Sequence, residues 1–297
     1  MAHSLEVPQV WDTRKCHVGE GPVATGDQGS QIFWVDILNN RALWKNLQTQ
    51  EIGEIKTHEN ISFILPRSNG GLILGTANGP IARDENGVES KLPTRVDADG
   101  SSDPVPMRWN DAKVGPCGEI WMGTSSHGVL TDRVGLHRLS ADGRSITRVL
   151  SNMKLSNGMD WSPDEKIFYL IDTLEFTLYI FDYEEGEISN QRVAIRFDTT
   201  SDEYPDGMTV DSVGNLWIAF WNGGCVRIFS PEFELLETLR FPARFVSSCT
   251  FAGSDLRTLI VTSSTGDNGW NDDQECAGMT FTVANQTRGK ASYVYGS

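Results

Sequence analysis

Cysteine is scarce and unpatterned in this sequence: five residues, Cys16, Cys117, Cys225, Cys249 and Cys276, odd in number and without a CxxC pair. That argues against a thiolate zinc site or a disulfide framework and fits a reducing, cytoplasmic compartment. Positive charge is also short, with 25 Lys and Arg against 40 Asp and Glu, a formal net charge of -15, and no basic cluster. Such a field repels polyphosphates and anionic membrane surfaces, so neither nucleic acid nor membrane is expected as a partner. No apolar run is long enough to span a bilayer, and the opening MAHSLEVPQVWDTRKC lacks the basic and apolar regions of a secretory signal. A helical period of useful length is missing too.

What is present is a repeat. Short apolar, β-branched and aromatic runs begin at Ile32, Leu72, Ile120, Ile167, Leu216 and Leu259, at spacings of 40 to 49 residues. A turn-forming stretch precedes each one (GDQGSQ, RSNGG, VGPCGE, SPDEK, DSVGN, AGSDLR), as at the tip of a hairpin leading into a buried strand. A third short strand follows in every unit and a fourth in most, which is the length and content of a propeller blade. The last unit runs out after its third strand, while EVPQVWDTRKC precedes the first unit unclaimed. The expected fold is therefore an all-β, six-bladed β-propeller of four antiparallel strands per blade. One domain, 1–297, is expected, with the N-terminal segment closing the last blade and protecting its edge.

The strand before each hairpin should line the central channel. Ten residues before Ile120, Ile167 and Leu216 stand Asn110, Asn157 and Asp206; the same step from Leu72 and Leu259 reaches Ser62 and Cys249. In the first unit Glu20 lies twelve before Ile32, the longer hairpin GDQGSQ taking up the difference. Taken singly, Asn-Gly, Asp-Gly and Glu-Gly-Pro are ordinary turn sequences. At one level of a pseudo-symmetric ring, however, two carboxylates and two amides form a hard-oxygen set suited to Ca²⁺, Mg²⁺ or Mn²⁺, and a cation relieves their mutual repulsion.

The stretches HVGEGP, IFWVDI, RWNDAKV, LSNGMDWSPDEKIFYLIDTL, YPDGMTVDSVGNLWIAFWNGG and AGMTFTV resemble the senescence marker protein (regucalcin), gluconolactonase and luciferin-regenerating enzyme family, over nearly the whole chain. The resemblance implies a six-bladed propeller with divalent-metal lactonase activity on a small-molecule lactone. It implies Glu20, Asn157 and Asp206 as metal ligands, Asn110 as a substrate contact and Arg108 as a hydrogen-bonding residue for substrate oxygens. Some sugar-lactone members carry an acidic residue on a longer loop where this chain reads GTSSHGVLTDRVG, so His127 or Ser126 is the substrate contact expected there.

Lactone hydrolysis needs a polarised carbonyl, a water nucleophile and a stabilised oxyanion; a three-ligand metal with Asp206 as base supplies these. Ca²⁺ is the first choice, with Zn²⁺, Mn²⁺, Mg²⁺ and Fe²⁺ as alternatives, and a monomer or weak dimer is expected. Competing functions are phosphotriester hydrolysis on the same site, a non-catalytic calcium-binding propeller, and handling of a heterocyclic nitrile such as an oxidised luciferin product. A structural ion pair is the alternative role for Arg108, and His17 is expected to pack in the first blade. GTSSHG lacks the spacing of a nucleophile elbow, no glycine pattern suits a dinucleotide, and GDNGWNDDQE misses the EF-hand spacing and reads as a top loop at the channel rim.

Overall fold

A computed structural model describes residues 7–26, 29–93, 107–126, 133–267 and 269–296. Six four-stranded antiparallel sheets succeed one another around a central channel. Their innermost strands are Gly19–Thr25, Ile61–Pro66, Arg108–Val114, Ser156–Trp161, Tyr204–Val210 and Phe245–Ala252, for blades one to six. Blade six is completed by Gln9–Asp12, whose Gln9 and Val10 pair with Thr282 and Phe281 of its third strand. Strands from early and late in the sequence thus share one sheet, and the ring closes as the unclaimed N-terminal segment suggested.

The hydrophobic core is divided among the seams between blades. Trp217, Phe251 and Phe281 join blades five and six, while Trp121, Trp161 and Phe168 join three and four. These side chains are essentially fully buried, each removing a large apolar area from water. Aromatic residues of the repeated runs (Trp121, Phe168, Trp217) and of the inner and third strands (Trp161, Phe251, Phe281) thus pack neighbouring blades against each other.

Every inner strand slips by one residue against its neighbour near the top of the channel, between Glu20 and Val23, Ile61 and Phe63, Trp109 and Ala112, Ser156 and Met159, Pro205 and Met208, and Val246 and Ser248. Such bulges re-aim side chains. Ser62, Asn110, Asn157, Asp206 and Ser247 fall within the slip and Glu20 at its edge. Asn157-Gly158 and Asp206-Gly207 are accordingly bulges within strands and not turns. A Cβ on Gly207 would stand 2.1 Å from Ser248 Oγ, so glycine is what lets adjacent inner strands approach.

Two expectations are corrected. The position equivalent to Ser62 in blade six is Ser247, not Cys249, because that blade's hairpin runs one residue pair further, to Ala252 opposite Thr258. The same extension, Thr25 opposite Gln31, explains the two extra residues in blade one. His17 is exposed and not packed in the first blade; its backbone is what is engaged, the N–H donating to Asp36 Oδ1 at 2.9 Å and the carbonyl accepting from Thr265 N–H at 3.1 Å.

The C-terminal segment crosses the far end of the channel, bridging Asp211 of blade five through Gly289 and Arg67 of blade two through Tyr295. Beneath it, Asp160 accepts from Lys113 Nζ and Lys290 Nζ, each at 2.8 Å. Burial opposes ionisation of Asp160, but the two ammonium groups hold its carboxyl well below the usual range. Asp160→Ala strands two largely buried cations, so chemical denaturation should register a loss of about 3 kcal/mol; an unchanged midpoint would show that the tail is not anchored there.

Candidate metal and substrate site at the channel mouth

The bulges converge on a cavity of about 290 Å³ at the upper end of the channel, lined by Glu20, Arg108, Asn110, Asn157 and Asp206 among others. Asn157 and Asp206 are only 6% and 5% exposed. Asn157 Nδ2 donates to Asp206 Oδ1 in close contact and to Thr173 Oγ1 at 3.1 Å. No hydrogen bond reaches Asn157 Oδ1 from the described residues, so this carbonyl keeps its lone pairs for the cavity. Glu20 Oε2 accepts from Gly21 N–H at 3.0 Å, and Asn110 Nδ2 donates to Ser156 O at 3.0 Å.

Two carboxyls close together in a poorly hydrated cavity cannot both ionise cheaply. Burial first, and then the charge of Asp111, push the Glu20 carboxyl from 4.5 up to about 8. Burial, then Glu20 and Asp111, hold Asp206 well above its ordinary value. Asp111, deeper in the channel, is itself raised to about 6 by burial, against the pull of Lys113. Arg108 is lowered by burial, while Asp267, Glu20 and Asp206 favour its charge; its Nη1 donates to Trp109 O at 3.1 Å.

This donor set fits a hard divalent cation. Two crowded carboxyls gain ionisation by accepting one, and a free amide oxygen stands beside them. Among the described residues, no group of three or more His, Cys, Asp or Glu comes together as a metal site. Among the described residues, an oxygen set must therefore rely on an amide as its third member.

The remaining lining divides by blade. Ser125 and Ser126 accompany Arg108 and Asn110 in blade three, whereas Tyr204, Trp221 and Trp270 come from blades five and six. Trp270 meets Tyr204 and Phe245 edge-on at 6.5 and 6.1 Å, and Phe245 stacks on Trp221 at 4.7 Å. Asp267 and Trp270 also line the cavity, so the acidic loop GDNGWNDDQE does form part of the rim. His127 lies outside the described residues.

Sequence reasoning passed over Thr173 and the aromatic wall. Thr173 had a signal: it follows the apolar run IFYLID as Ile37 follows IFWVD, and both residues line the mouth. The aromatic residues come from two strand ends, Tyr204 and Trp221, and a loop, Trp270, and offered no common spacing to read.

Residues 18–265 match the SMP-30/Gluconolactonase/LRE-like region family model. A regucalcin of Danio rerio is 34% identical over 256 residues, covering 84% of each chain. A pentonolactonase of Haloferax volcanii is 32% identical over 265 residues, covering 89% of this chain and 87% of its own. Among solved structures, a calcium-binding protein, regucalcin, of Agrobacterium tumefaciens superposes with a TM-score of 0.88 at 22% identity, over 98% of this chain and 97% of that one; the likeness is one of fold.

Proposed function

The chain belongs to the SMP-30/gluconolactonase/LRE-like family, and from that premise we propose that it is a divalent-metal-dependent lactonase acting on a sugar lactone, with Glu20, Asn157 and Asp206 holding the cation. The observation that carries this reading is the meeting of two mutually repelling carboxyls and one unengaged amide oxygen in a single cavity. Calcium is the ion favoured, on the all-oxygen donors and on the calcium-binding regucalcin above. The pentonolactonase relative supports a lactone as substrate.

A bound cation would act as a Lewis acid on the lactone carbonyl. The chain's own groups do the rest. Asp206, oriented by Asn157 Nδ2, takes the proton of the attacking water and returns it to the ring oxygen as the acyl C–O bond breaks, leaving an open hydroxy acid. Arg108 donates to substrate oxygens. Asn110, with one N–H of its amide given to Ser156 O, offers Oδ1 as an acceptor for a substrate hydroxyl.

Trp270 would cover the C–H face of the sugar ring while blade three takes its polar edge. Trp270→Ala should raise KM about tenfold with kcat within about threefold, the pattern of lost uniform binding. Steady-state kinetics that instead show kcat falling at unchanged KM would remove Trp270 from substrate binding.

The reading is tested by a pH-stat assay of aldonolactone hydrolysis, using chelated protein reconstituted in turn with each divalent ion. Turnover should vanish on chelation and return with Ca²⁺ or Mn²⁺. Tight ion binding without turnover of any lactone would instead make this a calcium-binding propeller, and turnover confined to phosphotriesters would reassign the substrate.

A further inference from the structure

Blades one and four carry the same device above the site. In each, the second strand ends on an aspartate that stands just before a short 3-10 turn, Ile37–Asn39 in blade one and Thr173–Glu175 in blade four. Asp36 accepts from the backbone N–H groups of His17 and Val18, and Asp172 from those of Lys154 and Leu155. Ile37 N–H donates to Val18 O at 2.9 Å and Thr173 N–H to Leu155 O at 3.0 Å. Both turns end on a left-handed residue, Asn40 and Phe176. The first residue of the turn is 4% exposed in one case and 5% in the other, yet it is isoleucine in blade one and threonine in blade four. The turn itself therefore needs no hydroxyl.

Thr173 uses its hydroxyl where Ile37 has none. Its single O–H proton is donated to Pro205 O, the carbonyl just before Asp206, at 2.7 Å. Toward Asn157 the oxygen can then only accept, and it accepts from Nδ2 at 3.1 Å. An amide has two nearly isosteric ends. With Thr173 Oγ1 and Asp206 Oδ1 both presenting lone pairs, only the orientation that turns Oδ1 away from them is satisfied. Glu20, the counterpart in blade one, is a carboxylate whose two ends are both oxygen, so no such choice arises.

We propose that Thr173 is a positioning residue that decides which end of the Asn157 amide faces the cavity and ties that ligand to the backbone of Asp206; this rests on the reading of Asn157 as a cation ligand. Loss of the hydroxyl frees the amide to rotate and present its NH₂ to the ion. Outer partners of this kind influence metal affinity by about 10- to 100-fold.

The test compares Thr173→Val, Thr173→Ser and the unaltered protein by calorimetric titration of the metal-free chain with Ca²⁺ and, separately, Mn²⁺, alongside urea unfolding of the metal-free forms. The valine variant should bind each ion about 10- to 100-fold more weakly while serine stays within about threefold of the unaltered protein. Its metal-free form should still unfold cooperatively in urea, at a modestly lower midpoint because Pro205 O loses its donor. Equal affinity for valine and the unaltered protein, or serine as weak as valine, would overturn the proposal. If the valine variant does not fold, Thr173→Ala against Thr173→Ser carries the same comparison. Absence of ion binding by the unaltered protein would strike the metal-site reading itself, whereas tight binding indifferent to residue 173 would strike only the role of Thr173.

Discussion

Replacing Asp206 with alanine is expected to lower kcat for lactone hydrolysis at least about a thousandfold, because one side chain is asked to hold the cation and to carry the proton. General base catalysis alone contributes about 10²- to 10⁴-fold. Asp206→Asn separates the two duties, since it keeps an oxygen for the ion but cannot accept a proton; it should retain part of the ion affinity and little turnover. The burial of Asp206 against Asn157 means the variants must first be checked for a native circular-dichroism spectrum and cooperative unfolding. Near-normal turnover by either variant in a pH-stat assay would remove Asp206 from the base role.

Chelation should make stability depend on pH in a direction opposite to that of most acidic proteins. The folded Glu20 carboxyl is pushed from 4.5 up to about 8, and Asp206 moves the same way. A raised folded value contributes stability that is complete below the unfolded value and is lost as pH rises through the folded one. Each such carboxyl costs the metal-free fold up to about 1.4 kcal/mol per pH unit across that window. His137 works the other way: burial lowers it from 6.5 to about 4, so its contribution is present above pH 6.5 and lost as pH falls. The clean interval is therefore pH 6.5 to 8. In urea unfolding with chelator, stability should fall across it, and Ca²⁺ at about a thousand times its Kd should restore about 4 kcal/mol. A flat or rising metal-free profile over that interval would mean that Glu20 and Asp206 are not the mutually repelling pair described.

Much of this was legible in the sequence because a propeller converts a one-dimensional period into angular position. The six apolar runs fixed the blade count, and the unclaimed N-terminal segment indicated how the ring closes. Counting back from the runs also brought Glu20, Asn110, Asn157 and Asp206 to one cavity, since the bulge recurs at the same level in every blade. The count slipped in blade six, where one extra hairpin pair moves the equivalent position from Cys249 to Ser247. A hairpin's length in residues does not reveal where pairing stops. His17 misled because a backbone contact to Asp36, not its imidazole, holds that segment.

What could not be read are groups whose role depends on contacts across blades. Lys290 gave no hint that it would reach Asp160, 130 positions away. Trp221 and Trp270 are brought together by Phe245, itself a strand residue with no polar mark. Thr173 is intermediate: its place in the repeat was visible beside Ile37, but a hydroxyl's direction depends on which acceptor takes its proton.

Crystals soaked with Mn²⁺ and measured for anomalous scattering put the shared-ligand idea to the most direct trial. The expected result is a single strong peak at the channel mouth, about 2.1 to 2.4 Å from oxygens of Glu20, Asn157 and Asp206, with the Asn157 oxygen, not its nitrogen, toward the ion. A peak elsewhere, or none at that mouth in crystals that diffract well, would contradict it.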